Sequence, residues 1–162
     1  MARVWTFGDN IDTDVITPSE YIHDHDPEKY AAHAMEPVRP EFGSEVQPGD
    51  VVVAGKNFGS GSSRETAAVA FAENDVECII AESFARIFFR NAVNIGLPVY
   101  ICPEAAERIE EGDDVSINHE TGEISNHTKD ETYQAEPHPE FLQNIIEIGG
   151  LRSYHERLES SE

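Results

Sequence analysis

The run Asn57-Phe58-Gly59-Ser60-Gly61-Ser62-Ser63-Arg64-Glu65 places two adjacent hydroxyls and one guanidinium on a glycine-rich turn. Gly59 and Gly61 carry no side chains, so a ligand can approach the backbone N–H groups closely. Arg64 supplies a planar, permanently charged fork that matches a carboxylate. Ser62 and Ser63 then lie beside the bound acid. The residue types describe a site that holds a carboxylate, with Arg64 and the backbone around Gly61 to bind it, and does proton chemistry next to it.

Two elements must position this turn. Val51-Val52-Val53-Ala54, bounded by Pro48-Gly49 and Gly55, reads as a buried strand. The alanine-rich stretch Thr66 to Ala72 reads as a helix. Strand, glycine turn and helix start in that order aim free amides and the positive end of a helix dipole at one point. A plainer alternative is that Ser62, followed by Glu65 in the S-x-x-E pattern, only caps the helix. No Lys-Ser/Thr pair closes the glycine run, which disfavours a phosphate loop. The G-x-S-x-G order of a serine hydrolase elbow is also missing.

Size and charge narrow the classes. At 162 residues the chain suits one domain, residues 1–162, with a sizeable core. Its formal net charge of −21 argues against nucleic acid or an anionic membrane as partner. Apolar blocks recur along the chain, so an acid-coated folded protein adapted to high salt is expected rather than disorder. No apolar run approaches a membrane span, and the start Arg3-Val4-Trp5-Thr6-Phe7 lacks a secretory pattern, so a soluble cytoplasmic protein is expected. Cys78 and Cys102 fall in strand-like apolar runs and read as buried, inert thiols. Two isolated cysteines cannot hold an iron–sulfur cluster, so no metal or cofactor is expected on this chain.

Elsewhere the pattern predicts a strand over Arg3–Phe7, a polar loop over Asp9–Asp14 and a helix from Asp26-Pro27 to about Met35. A loop with three prolines spans Pro37 to Pro48. Strands Cys78–Ala81 and Val99–Cys102 flank a helix over Phe84–Asn94 that Gly96 and Pro98 close. A short helix over Glu104–Glu110, a hairpin of Val115–Asn118 with Glu123–Ser125, and helical pieces over Pro139–Ile148 and Leu151–Leu158 complete the chain. The aspartates of the Asp9 loop lack the glycine and closing glutamate of a calcium loop, and His23-Asp24-His25-Asp26 reads as a solvated loop rather than a metal site. Alternating strands and helices with local pairing near the end define an α/β class with a mixed sheet.

Asn-Phe-Gly-x-Gly-Ser-Ser-Arg-Glu resembles the active-site loop of the small subunit, or swivel domain, of the aconitase superfamily. Gly8-Asp9-Asn10-Ile11-Asp12-Thr13-Asp14-Val15-Ile16-Thr17-Pro18, the long segment Ser83 to Pro98 and the tail Ile145 to Leu151 are similar to further family segments. The likeness covers nearly the whole chain in order, and is greatest to archaeal-type small subunits of the isopropylmalate dehydratase and homoaconitase kind. It implies a swivelling β/β/α domain with a flattened, barrel-like sheet, and a reversible dehydration of a malate-type di- or tricarboxylic hydroxy acid. It implies Ser62 as the base, acting as an alkoxide, Ser63 as a hydrogen-bonding group and Arg64 as the carboxylate binder. It also implies a partner: a large subunit carrying a [4Fe–4S] cluster with one open iron.

Thr66 stands where the family usually has histidine, and Ser60 where many members have cysteine or glutamate. After Tyr21-Ile22, where relatives discriminate substrates, this chain has His23-Asp24. Neutral His23 suits an alkyl group and charged His23 a carboxylate; isopropylmalate is the favoured substrate, with homocitrate-type or smaller citraconate-type acids as alternatives. Arg86 and Arg90, four apart on one helix, share a face that binds either acidic loops of this chain or a partner. A non-catalytic dicarboxylate-binding module is the competing class; it would need no cysteine-rich partner.

Overall fold

The computed structural model describes residues 3–62, 64–138, 140, 143 and 144. Ser63, the helical pieces expected over Pro139–Ile148 apart from those few positions, and Leu151–Leu158 lie outside them.

Four short strands, β1 (Val4–Thr6), β2 (Val51–Ala54), β3 (Cys78–Ala81) and β4 (Val99–Ile101), form a parallel sheet in the order β1-β2-β3-β4. The central strands β2 and β3 are apolar and buried on both faces, as parallel strands under crossovers must be, while the edge strands β1 and β4 leave their last residues, Thr6 and Ile101, partly open. Side chains alternate between two packed layers. Trp5, Val52, Ala54, Ile79 and Ala81 face a core shared with the helices, including Phe42, Phe58, Phe71 and Phe88. Val4, Val51, Val53, Cys78 and Ile80 face a second core with Val115, Ile124 and Tyr133. Those last residues belong to an antiparallel sheet of β5 (Val115–Asn118), β6 (Glu123–Asn126) and β7 (Glu131–Gln134). Helices, parallel sheet and antiparallel sheet are thus stacked as α, β and β.

The crossover helices are α1 (Thr13–Ile16), α2 (Pro27–Ala32) and α3 (Phe42–Glu45) between β1 and β2, α4 (Glu65–Glu73) between β2 and β3, and α5 (Arg86–Asn94) between β3 and β4. Helix α6 (Pro103–Arg108) follows β4.

The expected strands and main helices are present, and the differences have local causes. Asp9–Asp14 is not all loop: Asp12 accepts from the Asp14 amide at 2.8 Å and caps α1. Within the proline-rich stretch Pro37 to Pro48, Phe42 is fully buried edge-on to Trp5, with ring centroids 5.1 Å apart, and carries the turn of α3. The C-terminal hairpin gains β7 because Ile124 and Tyr133 pair across β6 and β7 on the core face. The parallel and antiparallel strands form two sheets rather than one, meeting at the single bridge Arg3–Asp114 among the described residues.

Cys78 and Cys102 are both free and buried, as inert thiols should be. Burial pushes the Cys78 thiol well above its ordinary range.

Candidate active site

In a parallel sheet the loops after the strands gather at the carboxyl edge, where ligands of open α/β folds bind. The turn after β2 lies there, wedged between two neighbours. On one side Phe58 bridges to Phe84, and the Ala85 amide donates to the Phe58 carbonyl at 2.9 Å. On the other, the Gly59 amide donates to the Ile11 carbonyl and the Thr13 amide to the Ser60 carbonyl, each at 2.8 Å. The loop after β1 and the loop after β2 are therefore sewn together through their backbones.

Both glycines are obligatory. Gly59 has φ +84°, and a β-carbon there would overlap the Phe88 ring. Gly61 has φ +94°, and a β-carbon would overlap the Asp12 carboxylate. This packing against Phe88 and Asp12 holds the turn in one conformation while leaving Gly61 and Ser62 exposed.

The aspartates of the first loop contact the turn and cap the helix before it. Asp9 Oδ1 accepts from the Lys56 amide at 2.7 Å, Asp12 caps α1, and Asp14 Oδ1 meets Arg64 Nη1 at 2.5 Å. Among the described residues no group of three or more His, Cys, Asp and Glu side chains could hold a metal ion.

Ser62 does not cap α4. The N-cap position is Arg64, which makes no side-chain cap bond. Instead the Ser62 carbonyl accepts from Thr13 Oγ1 at 3.0 Å and from the Arg64 amide at 2.9 Å, and Ser62 Oγ lies 3.3 Å from Thr13 Oγ1. The capping alternative is thereby removed. Among the described residues, no acceptor meets the amides of Gly61, Ser62, Glu65 or Thr66. Those donors and the N-terminal end of α4 lie within four residues of Ser62 in the chain.

Arg64 is anchored but not consumed. Its Nη1 contacts Asp14 and donates to the Thr17 carbonyl at 3.3 Å; its Nε and Nη2 have no partner among the described residues. The guanidinium can therefore lie fixed against the first loop and still present one edge to a carboxylate. Thr66 also has a defined place: its hydroxyl lies 2.9 Å from that of the buried Thr17. Thr17 in turn reaches the Thr13 carbonyl at 3.4 Å, so Thr66 helps hold the loop that holds Ser62.

His23 is exposed on the loop before α2, and no hydrogen bond among the described residues joins it to the Ser62 turn. Its neighbours are well anchored. Tyr21 stacks on His33 with ring centroids 3.8 Å apart and donates to Glu36 Oε1 at 2.7 Å, a bond that pushes its hydroxyl up to about 12. Asp24 pairs with Lys29 at 2.6 Å, which holds its carboxyl below the usual range.

Sequence reasoning did not single out Thr13 or Asp14 as parts of the site. Their signal was present in the Asp12-Thr13-Asp14 run, but its meaning rests on a contact with Ser62 across 49 residues.

These features belong to a known class. The model of the aconitase C-terminal domain matches residues 10–103, which span the first loop, the glycine turn and α5. A 3-isopropylmalate dehydratase small subunit of Heliobacterium modesticaldum is 53% identical over 94% of this chain and 92% of its own length. That of Methanosarcina acetivorans is 50% identical over 98% of this chain and 97% of its own. The crystal structure of 3-isopropylmalate dehydratase (leuD) from Methanocaldococcus jannaschii superimposes with a TM-score of 0.91 at 40% identity, covering 98% of this chain and 93% of that one. The chain belongs to the aconitase C-terminal domain family, with 3-isopropylmalate dehydratase small subunits among its relatives.

Proposed function

We propose that this chain is the small subunit of a hydro-lyase that interconverts 2-isopropylmalate and 3-isopropylmalate, a step of leucine biosynthesis. The carrying observation is the Ser62 hydroxyl, set on an open turn beside Arg64 and amides that have no acceptor among the described residues, in a chain so similar to named small subunits over nearly full length. It works as one swivel domain, in the cytoplasm, against a large subunit. No described helix is long and apolar enough to cross a membrane. The acidic coat suits a cytoplasm of high salt.

Removing a proton beside a carboxylate is difficult because charge builds on that carboxylate in the transition state. Ser62 is the base that takes this proton as an alkoxide. Amides at the turn and the start of α4 that have no acceptor among the described residues lower the cost of the alkoxide, and Thr13 offers a hydroxyl to it. The free edge of Arg64, with Gly61 and Ser63, holds the carboxylate on which charge develops. His23 sits beside the group that distinguishes one substrate from another.

This chain does not fit a cluster of its own. Its two cysteines are buried, lie in β3 and beyond β4, and point into the core rather than to the turn. A [4Fe–4S] cluster would therefore be held by the large subunit and would supply Lewis acidity there.

The test is reconstitution. The chain alone should be inactive, and anaerobic mixing with a cluster-loaded large subunit should give turnover of 2-isopropylmalate in preference to homoaconitate or citraconate. Ser62→Ala should assemble normally and lose about 100- to 10,000-fold in kcat. Near-normal turnover by that variant would end the base assignment, and dicarboxylate binding without turnover in the mixture would favour a binding module.

A further inference from the structure

In a chain with 32 acidic and 11 basic residues, an arginine without a carboxylate neighbour is conspicuous. Among the described residues, Lys29, Arg39, Lys56, Arg64, Arg108 and Lys129 all have a carboxylate within 4.0 Å. Arg3 lies over the Trp5 ring at 4.3 Å. Arg86 and Arg90 have no such carboxylate among the described residues, and both are exposed on α5.

Beside them on the exposed side of α5 stands Ile87, 50% exposed and one of only three large apolar side chains so open among the described residues. The opposite side of α5, at Phe88 and Ala92, is buried. The exposed side therefore carries two neighbouring cations with an apolar side chain at their flank, on a molecule otherwise coated with carboxylates. It is also rigidly tied to the site: Phe88 fills the space that Gly59 leaves open, and its ring lies 5.3 Å from that of Phe58. Whatever covers this face is thereby set in fixed relation to the Ser62 hydroxyl.

We propose that the Arg86–Ile87–Arg90 face of α5 is a docking surface for the large subunit, seated on carboxylates around an apolar socket. This rests on the reading of the chain as a small subunit. A polyanion or an anionic membrane is the wrong occupant, because two cations on a particle of charge −21 do not overcome its repulsion. A protein partner of matching shape uses the local reversal of sign differently. Repulsion elsewhere discourages wrong registers, and attraction here selects one.

The test titrates the full chain onto the cluster-loaded large subunit anaerobically, by calorimetry, with kcat measured at saturation. R86E and R90E should each raise Kd by about tenfold or more, as close interfacial charge pairs do. Added KCl should weaken wild-type binding more steeply than binding of the R86E/R90E double variant. The charge-matched control is R108E, whose ion pairs are loose, at 3.9 and 4.0 Å; it should leave Kd unchanged. Saturating kcat should be that of wild type throughout, with unchanged circular dichroism. Wild-type affinity in R86E and R90E overturns the docking face alone, and so does a fall in kcat at unchanged Kd, which would place the arginines on substrate. A self-association of wild type that R86E abolishes also overturns it, in favour of a second copy of this chain. A wild-type chain that neither binds nor activates the large subunit overturns the subunit reading and this surface with it.

Discussion

Thr13→Val isolates one contact in the site. Thr13 Oγ1 lies 3.0 Å from the Ser62 carbonyl and 3.3 Å from Ser62 Oγ, and it has one hydrogen to give. At rest that hydrogen goes to the carbonyl, which also receives the Arg64 amide at 2.9 Å. When Ser62 is ionised, its oxygen becomes the stronger acceptor and the Thr13 hydrogen turns to it. A hydrogen bond to a charged group is worth about 1.5–3 kcal/mol. At 1.36 kcal/mol per decade, losing it slows turnover by about 10- to 150-fold.

Valine keeps the shape of threonine. Since Thr13 is 2% exposed, the new methyl lands in a dry place, and the Ser62 carbonyl keeps its second donor. The folded state should therefore lose only about 1 kcal/mol. The assay is anaerobic dehydration of 2-isopropylmalate by the assembled pair, with kcat and KM resolved and a urea melt in parallel. The loss should fall on kcat, and Thr13→Ser, which keeps the hydroxyl, should recover most of it. A valine variant with wild-type kcat, or a serine variant as slow as the valine one, would refute the argument.

Three further outcomes follow from the same geometry. Gly59→Ala adds a β-carbon onto the Phe88 ring at a φ of +84°; overpacking of about 1–3 kcal/mol plus left-handed strain of about 1–2 should lower the urea midpoint markedly. Gly8→Ala, with nothing within 4 Å of the new carbon, is the near-neutral control, and equal midpoints would sink the idea. Burial pushes the His138 imidazole below its ordinary 6.5, and its Nε2 has no partner among the described residues. The unfolded chain therefore takes up the proton first: stability from this group is complete above pH 6.5 and is lost as pH falls below it. His138→Phe should flatten the acid side of a stability–pH curve, and an unaltered curve would contradict the assignment. Finally, the net charge of −21 should make the melting temperature climb as KCl rises toward about 1 M, where screening acts within about 3 Å. A melting temperature indifferent to salt would remove the halophilic reading.

Much of the fold was legible because each buried strand is written locally. Val51-Val52-Val53-Ala54 and Cys78-Ile79-Ile80-Ala81 are short, apolar and flanked by breakers, as strands covered on both faces must be. Helix α2 was announced by Asp26 and Pro27, which occupy the cap and first positions. What escaped were elements whose stability is not local. Helix α3 is one turn held by the burial of Phe42, and β7 exists because Tyr133 finds Ile124 across the sheet. Neither has a pattern long enough to declare itself.

The candidate site divides along the same line. Glycines, adjacent serines, an arginine and a following helix are consecutive in the chain, so their joint chemistry could be read before any folding was known. Spacing alone left open whether Ser62 caps a helix or faces a ligand, because both roles use the same residue types. Folding removes the cap role by giving the cap position to Arg64, and it brings the Thr13 hydroxyl within 3.3 Å of Ser62 Oγ. Spacing likewise placed Arg86 and Arg90 on one face without saying which charges lie opposite. A hydrogen bond or an ion pair between residues far apart in sequence is a property of distance in space, and only the packing of α1 and α5 against the turn after β2 sets those distances.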